Sequence, residues 1–527
     1  MFGLELFNTA FRRSRFDFQD KEIIARLDPL VKLIGNALYS SSEPVLIASF
    51  KASAGILQCP LKSVPTSAPI IVRQILAIIR STGSGESEVA QAGLKALTTI
   101  LRECEVTVVK EKDLLFLIEF VSPYLEDPER QGTVFALLRA IVARRLIVPE
   151  LYDVMTDVSA ILVTSQSAQT RESARGLLLQ FLLEYPQGAG RLQTTLGFFA
   201  RNLSYEHVSG RSSVLELLGA VVSKFDATLL AKHAEMIFVA LVLCLANDDD
   251  KSCREASSSV LKSLVKKLGE NERKVFIGHL HMWASQRGQA QLRAVAVQVY
   301  GLIIDALQHE ASPYVATLLA EAQEILDHSI QSLSGGEGDN MEVDVEWQPP
   351  YQTILAISKL VQTLPEHMLS TVESTQEKVI SHLLFPHAWV RTAACRLLGV
   401  FLAFHGTLFS ESSHLTLPLV KDTAEKLCTQ LKSPHLDAPL SLQIVKNLFF
   451  VGKWFCTVPS SLTGSYTEEV PNVSDDDETH VAEHHNGGKD SQDPLPWLFS
   501  KLSYQARSAH IARRNRSNAS VSSVHTA

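Results

Sequence analysis

Thr170-Arg171-Glu172-Ser173-Ala174-Arg175-Gly176-Leu177-Leu178-Leu179 sets an arginine ahead of small residues and then apolar residues that recur at intervals of three and four. That is the pattern of an amphipathic helix whose first turns approach a neighbour closely. The arrangement returns in Cys253-Arg254-Glu255-Ala256, in Leu292-Arg293-Ala294-Val295-Ala296-Val297 and in Val390-Arg391-Thr392-Ala393-Ala394-Cys395-Arg396-Leu397-Leu398. Arg130, Arg171, Arg211, Arg254 and Arg293 follow one another at 41, 40, 43 and 39 residues. Arg391 lies 98 residues beyond Arg293; removing an acidic, glycine-containing insert of 14 residues, Ser334–Trp347, leaves two further steps of 42. A period near 40 with two helices per period specifies an all-α HEAT or armadillo-type solenoid, of about twelve helix pairs at this length.

An arginine in the first helical turn gains nothing from the helix dipole, which favours carboxylates there. Its recurrence therefore points to a contact with another element. The expected partner is a carboxylate or carbonyl of the neighbouring repeat, held bidentately. On this reading Arg130, Arg171, Arg211, Arg254, Arg293 and Arg391 hold the stack together and bind no ligand.

The 527 residues are 46% hydrophobic and 7% aromatic, which supplies a continuous core and argues against sandwiches or propellers. Gly93–Glu103, Val214–Lys224 and Ile354–Leu364 carry helical periodicity, and no Asn-Gly hairpin signal separates alternating strands, so no sheet is expected. The expected organisation is helical repeats over 1–333 and 348–459, acidic disordered segments at 334–347 and 460–493, a terminal amphipathic helix over 494–512 and a disordered tail at 513–527.

Net charge is -8, which proposes no general coating of nucleic acid. Acid concentrates around Glu337, Asp339, Glu342, Asp344 and Glu346, and again from Glu468 to Asp493 with Asp475-Asp476-Asp477-Glu478 at its centre. The helical remainder is close to neutral and has local basic faces: Lys262, Lys266 and Lys267 beside Arg273 and Lys274, and Arg144-Arg145. Such faces suit phosphates, but solvated helix surfaces have the same composition, and the solvated reading is the one carried forward.

Seven cysteines without a CxxC pair suit a reducing compartment and buried thiols. The longest uninterrupted apolar stretch, Met236–Ala246, has 11 residues, too short to span a bilayer, and no apolar signal core follows Met1. Phe2–Phe18, with Arg12, Arg13 and Arg15, imitates a transit peptide, but Glu5 and Asp17 favour an ordinary first helix. A soluble, intracellular protein that contacts no membrane is expected.

No P-loop, dinucleotide fingerprint, nucleophile elbow, zincin or kinase signature occurs. His279-Leu280-His281 and Glu483-His484-His485 lack a second ligand pair at metal-site spacing. No catalytic residue, cofactor, metal or small-molecule substrate is therefore expected. Ser474, followed by Asp475, Asp476 and Asp477, stands in the context preferred by acid-directed protein kinases. Pro494-Leu495-Pro496-Trp497-Leu498-Phe499-Ser500-Lys501-Leu502 restarts an amphipathic helix that grades into Arg507, Arg513, Arg514 and Arg516. That basic end suits nuclear targeting or RNA contact, but for the last ten residues a frayed tail is the reading carried forward.

Arg145-Leu146-Ile147-Val148-Pro149-Glu150-Leu151-Tyr152-Asp153-Val154-Met155, Leu179-Gln180-Phe181-Leu182-Leu183-Glu184-Tyr185-Pro186-Gln187-Gly188, Pro386-His387-Ala388-Trp389-Val390-Arg391 and Val445-Lys446-Asn447-Leu448-Phe449-Phe450 resemble the C-terminal portion of the small-subunit processome component 20 family, the down-regulated-in-metastasis proteins. Tyr205 with Gly210-Arg211-Ser212 adds to the likeness, which runs from Phe2-Gly3-Leu4-Glu5 to Trp497-Leu498 and fails in the two acidic segments and the tail. The resemblance implies a non-catalytic, nucleolar helical-repeat scaffold of the small-subunit processome, in the nucleus, that supports pre-rRNA processing and small ribosomal subunit biogenesis. The partners it implies are pre-ribosomal particle proteins, pre-rRNA and a box C/D small nucleolar RNP. Family members are several times longer than this chain, so Met1 is expected to lie inside a longer protein, and the tail is less basic than the family leads one to expect. A karyopherin-like transport receptor and a regulatory scaffold subunit of a phosphatase or kinase are the alternative readings of the same repeat pattern.

Overall fold

The computed structural model describes residues 1–105, 109–188, 190–334, 345–404, 416–432, 436–457 and 495–503. Among them lie 22 α-helices between Phe2 and Thr457, a further helical stretch over 495–503, and no strand. The chain divides into two compact units, Met1–Glu272 and Arg273–Ala527. In the first, a lone helix Phe2–Arg12 precedes six helix pairs. We call the second helix of each pair B; these are Glu43–Ile56, Glu88–Glu103, Gln131–Ala143, Ala168–Glu184, Val208–Lys224 and Lys251–Lys267. In the second unit the B helices are Ala290–Leu307, Gln348–Thr363, Ala388–Phe404 and Ala438–Thr457. The described residues thus form ten pairs, fewer than the twelve expected. Dividing the whole length by the period counted segments such as 458–494 that lie outside the described residues.

Within each unit B helices stack on one another, and small residues at the contact let them approach. From Ala48 through Leu57 every residue except Lys51 is buried, including Ser49, Ser53 and Gly55. Phe50 and Ile56 are fully enclosed, each worth about 1.5–3 kcal/mol of burial. The runs read as helical fall inside Glu88–Glu103 and Val208–Lys224, and the third lies in Gln348–Thr363 up to its C-cap Leu364. Side-chain caps fix several starts: Ser87, Ser167, Asp226 and Asp250 each accept a backbone N–H of the first turn. The stretch 290–333 is long and apolar enough to cross a membrane by length and composition. Helix packing accounts for that apolarity, since Val295, Val297, Val299, Ile303, Leu318 and Leu326 are all buried. It is also interrupted at Gln308, whose φ is +53°.

The limits of the expected acidic insert need correction. Ser334 closes helix Ser312–Ser334, and Trp347 is no part of an insert: it N-caps Gln348–Thr363 and stacks on His387 at 4.1 Å, nearly parallel. Residues 335–344 lie outside the described residues, as does the whole of the second acidic segment, 460–493. Of the expected terminal helix, 495–503 is helical, with Leu498 buried against Gly452. Ser474, Arg513, Arg514 and Arg516 lie outside the described residues.

Candidate functional site

Arg171, Arg211, Arg254, Arg293 and Arg391 each occupy the fourth position of a B helix. Four of them share one contact. Arg171 Nη1 donates to Ser165 O at 2.8 Å; Arg211 Nη1 to Tyr205 O and Glu206 O at 2.8 and 2.9 Å; Arg254 Nη1 to Asp248 O and Asp249 O at 2.5 and 2.9 Å; Arg391 Nη1 to Phe385 O and Pro386 O at 2.8 and 2.6 Å. Each guanidinium thus reaches back five or six residues and closes the carbonyl end of the preceding helix, where unpaired C=O groups and the dipole favour a cation. Arg293 does the same from a buried position: its Nε donates to Ala284 O at 3.2 Å, and burial pushes its pKa down.

These partners differ in part from the expected ones: a carboxylate of the neighbouring repeat held bidentately is found at Arg211, and the other contacts are of another kind. The capped carbonyls belong to the arginine's own helix pair; among the described residues, contacts to the neighbouring repeat are made by Arg171, whose Nε donates to Ser213 Oγ at 3.0 Å, by Arg211, and by Arg293, whose Nη1 stands 3.5 Å from His328 Nδ1. Arg130 departs further. It precedes Gln131–Ala143 as its N-cap, ion-pairs with Asp127 and covers the Tyr124 ring, while Val134 fills the fourth helical position. Its place in the 41-residue spacing is a coincidence of residue type. At the step between Arg293 and Arg391, the fourth position of Gln348–Thr363 holds Tyr351, which packs on Trp347 and on the exposed Trp389.

Arg211 is the centre of the most elaborate turn. Its Nε and Nη2 grip both oxygens of Asp248 at 2.8 Å, and the two side chains are 11% and 1% exposed. Burial pushes the Asp248 carboxyl up, but Arg211 and the Asp250 N–H outweigh it and hold the group below the usual carboxylate range. The run Asp248-Asp249-Asp250 divides its work: the first pairs with Arg211, the first and second offer their carbonyls to Arg254, and the third caps Lys251–Lys267. Gly210 makes room for this; a Cβ there would stand 2.4 Å from Val163 O. Beside the turn, helices Arg191–Arg201 and Ala234–Asn247 flank a groove of about 1130 Å³ with Met236, Val239 and Leu243 along it and Glu206, Glu235 and Asp249 among its lining.

The basic faces also do structural duty. Arg144 donates to Cys104 O and Glu105 O at 3.1 and 3.0 Å, and Lys267 to Val222 O and Ser223 O at 2.7 and 2.8 Å, so each closes the end of the preceding B helix. Arg273 pairs with Glu310 at 2.8 Å. The Arg144 and Lys267 contacts leave no trace in the sequence, because a backbone carbonyl carries no residue-type signal. His279 stacks with Trp283, and His281 bonds the buried Glu321; burial raises the Glu321 pKa against that contact. Among the described residues no group of three or more His, Cys, Asp or Glu is placed to hold a metal ion. Six of the seven cysteines are buried, and none forms a disulfide.

No family model matches the chain. It is 33% identical over 448 residues to U3 small nucleolar RNA-associated protein 20 of Schizosaccharomyces pombe, a match covering 83% of this chain and 18% of that protein. With the protein of the same name from Saccharomyces cerevisiae it shares 27% over 450 residues, 85% of this chain and 17% of that one. The chain therefore spans less than a fifth of the length of these curated relatives. Among solved structures, Kap121p in its crystal structure bound to Nup53p is similar with a TM-score of 0.52 at 14% identity, over 83% of this chain and 43% of that one. At that identity the likeness concerns the fold alone, and it agrees with a helical-repeat architecture. The resemblance read from the sequence therefore holds: over 83–85% of its length this chain is a homologue of a segment of the U3 small nucleolar RNA-associated protein 20 family.

Proposed function

We propose that this chain is a non-catalytic helical-repeat scaffold that acts within the nucleolar small-subunit processome and supports pre-rRNA processing and small ribosomal subunit biogenesis. The observation that carries the reading is the 33% identity, sustained across 448 residues, to a protein named for its association with U3 small nucleolar RNA. The geometry supports it in kind. Arginine side chains at the inter-helix turns are spent on backbone carbonyls, which suits a chain built to present a long surface rather than a reaction centre. Such a scaffold gains affinity from many weak contacts made together. Its partners are pre-ribosomal particle proteins, with pre-rRNA and the box C/D small nucleolar RNP in the same assembly. Ser474 is a phosphorylation site in this reading, and Arg513, Arg514 and Arg516 a targeting or contact segment.

Gradient sedimentation of the tagged protein from nuclear extract, with and without ribonuclease, tests this. Cofractionation with large, ribonuclease-sensitive particles that contain pre-ribosomal RNA is expected. Migration as a small species that ignores ribonuclease and binds a nucleotide-loaded small GTPase would replace the reading with a transport receptor, and co-purified phosphatase or kinase activity would replace it with an enzyme-associated scaffold.

A further inference from the structure

In the unit Met1–Glu272, four successive B helices set a cation at the same turn. Lys51 is the ninth residue of Glu43–Ile56, Lys95 the eighth of Glu88–Glu103, Arg139 the ninth of Gln131–Ala143 and Arg175 the eighth of Ala168–Glu184. Packing dictates that these positions face outward. Lys51 is the one exposed residue between Ala48 and Leu57, and Lys95 and Arg139 are likewise exposed between buried neighbours. Because these helices stack in sequence, the cations form a column with one charge per layer, at the interaxial step of about 8–10 Å. Arg139 and Arg175 are partly committed, the first donating to Ser173 O at 3.0 Å and the second ion-paired with Glu216. Lys51 and Lys95 have no carboxylate partner among the described residues, and neither has the exposed Arg12 at the end of the first helix.

Those three cations line one groove of about 630 Å³, and Glu88 is the one carboxylate in its wall. In a chain of net charge -8, an exposed concentration of unmatched positive charge on stacked helices stands out. Gln58 and Gln91 line the same groove; their amide nitrogens are used on Ala54 O and Gly85 O at 2.7 and 2.8 Å, which leaves the amide oxygens as acceptors for hydroxyl groups. Regularly repeated cations with hydroxyl acceptors between them match a polymer that repeats a phosphate and a ribose.

We propose that this face binds the phosphate backbone of single-stranded RNA, with Arg12, Lys51 and Lys95 as the phosphate contacts and the column through Arg139 and Arg175 continuing the track. The proposal deepens the reading of the chain as a pre-ribosomal scaffold by assigning the RNA to one face of one unit.

The test is the salt dependence of binding of labelled polyuridylate to the full chain. Each phosphate contact to a single strand contributes about 0.7 to the slope of log K against log salt. The triple variant Arg12→Gln, Lys51→Gln, Lys95→Gln should therefore lose about 2 from the slope and on the order of 100-fold in affinity at 0.1 M salt, with unchanged melting because all three side chains are exposed. The charge-preserving triple Arg12→Lys, Lys51→Arg, Lys95→Arg should keep the parental slope. A charge-matched triple on the first helices of the pairs, Lys21→Gln, Lys32→Gln, Arg73→Gln, should also leave it in place. An unchanged slope in the first variant, or an equal loss in the charge-matched control, would overturn the assignment. So would competition by polyglutamate as effective as unlabelled RNA at equal charge, which would identify an acidic-protein surface. Failure to sediment with pre-ribosomal particles while polyuridylate binding persists would remove the processome reading and leave this surface standing.

Discussion

Arg211→Ala should be the most damaging single substitution among the repeat arginines, because it removes one partner of a buried ion pair. Wild-type Arg211 satisfies both oxygens of Asp248 and two turn carbonyls at once. In the variant the carboxylate, 1% exposed in the intact protein, keeps only the Asp250 N–H at 2.9 Å and the weak Cys244 thiol at 3.7 Å. Breaking a buried pair from one side costs about 3–5 kcal/mol, most of it the uncompensated charge left behind. Arg254→Ala strips two carbonyls that water can reach and should cost about 1–2 kcal/mol. Arg211→Ala combined with Asp248→Asn should recover part of the loss by removing that charge. Urea unfolding followed by circular dichroism, with hydrogen exchange to locate the opening, measures all three. The loss should localise to 191–250, since each repeat contacts only its neighbours. The pH dependence carries a sign. Asp248 is held below its ordinary value of 3.8, so its contribution is complete above that value and lost as pH falls through the lower folded value. Arg211→Ala should therefore flatten the acid limb of the stability curve. Equal costs for Arg211→Ala and Arg254→Ala, or no recovery with Asp248→Asn, would refute the reasoning.

Gly210→Ala should destabilise by about 1–3 kcal/mol, because the added Cβ meets Val163 O at 2.4 Å, whereas Gly132→Ala, with nothing within 4 Å, should gain about 0.5–1 kcal/mol; chemical denaturation distinguishes them. His382 is fully buried between Ser329 Oγ and Lys378 O, each at 2.7 Å, and burial pushes its pKa below 6.5. The unfolded chain then binds the extra proton first, so stability falls as pH drops below about 6.5, and His382→Gln should show a flatter urea midpoint between pH 7.5 and 5.5. Replacing 335–344 by a shorter Gly-Ser linker should leave melting unchanged, as expected of an insert between repeats, while Trp347→Ala should cost about 0.5–1.5 kcal/mol through the lost His387 stack. Differential scanning calorimetry of the two variants reads both halves of that prediction.

The period was legible because one residue type recurs at one helical position: five of the six arginines sit fourth in a B helix. Small residues after them are needed wherever helices pack closely, so the arginine and its neighbours reported the same geometry twice. Arg130 keeps the spacing without the position. Spacing alone cannot separate the fourth helical position from the N-cap, and Asp127 three residues earlier, which draws Arg130 into a local pair, was the signal available. The capped carbonyls were illegible in principle, because every residue carries one. Asp248 was legible only as part of an acidic run; its pairing with Arg211, 37 residues away, depends on how the turns of adjacent repeats align. Acidic neighbours place Trp347 with the insert in sequence, yet its ring finds His387 forty residues on.

One residue type serves two ends in this molecule, and its surroundings decide which. At the inter-helix turns, carbonyls left unpaired by a helix terminus lie within reach of the next helix's first turn, so a guanidinium there is consumed and offers little to a phosphate. Arg211, Arg254 and Arg391 each spend donors on such carbonyls. In the middle turns of the B helices the carbonyls of the cation's own helix are bonded within it, so a cation that packing turns outward keeps its charge for solvent or a ligand unless the next helix offers a partner, as Ser173 O does to Arg139 and Glu216 to Arg175. Lys51 and Lys95 are in that situation, and the groove they share with Arg12 collects their field. Stability and RNA affinity should therefore separate by position along the B helix. Substitutions at the fourth residue change how well the stack holds, and substitutions at the outward Lys51 and Lys95 change what it holds onto.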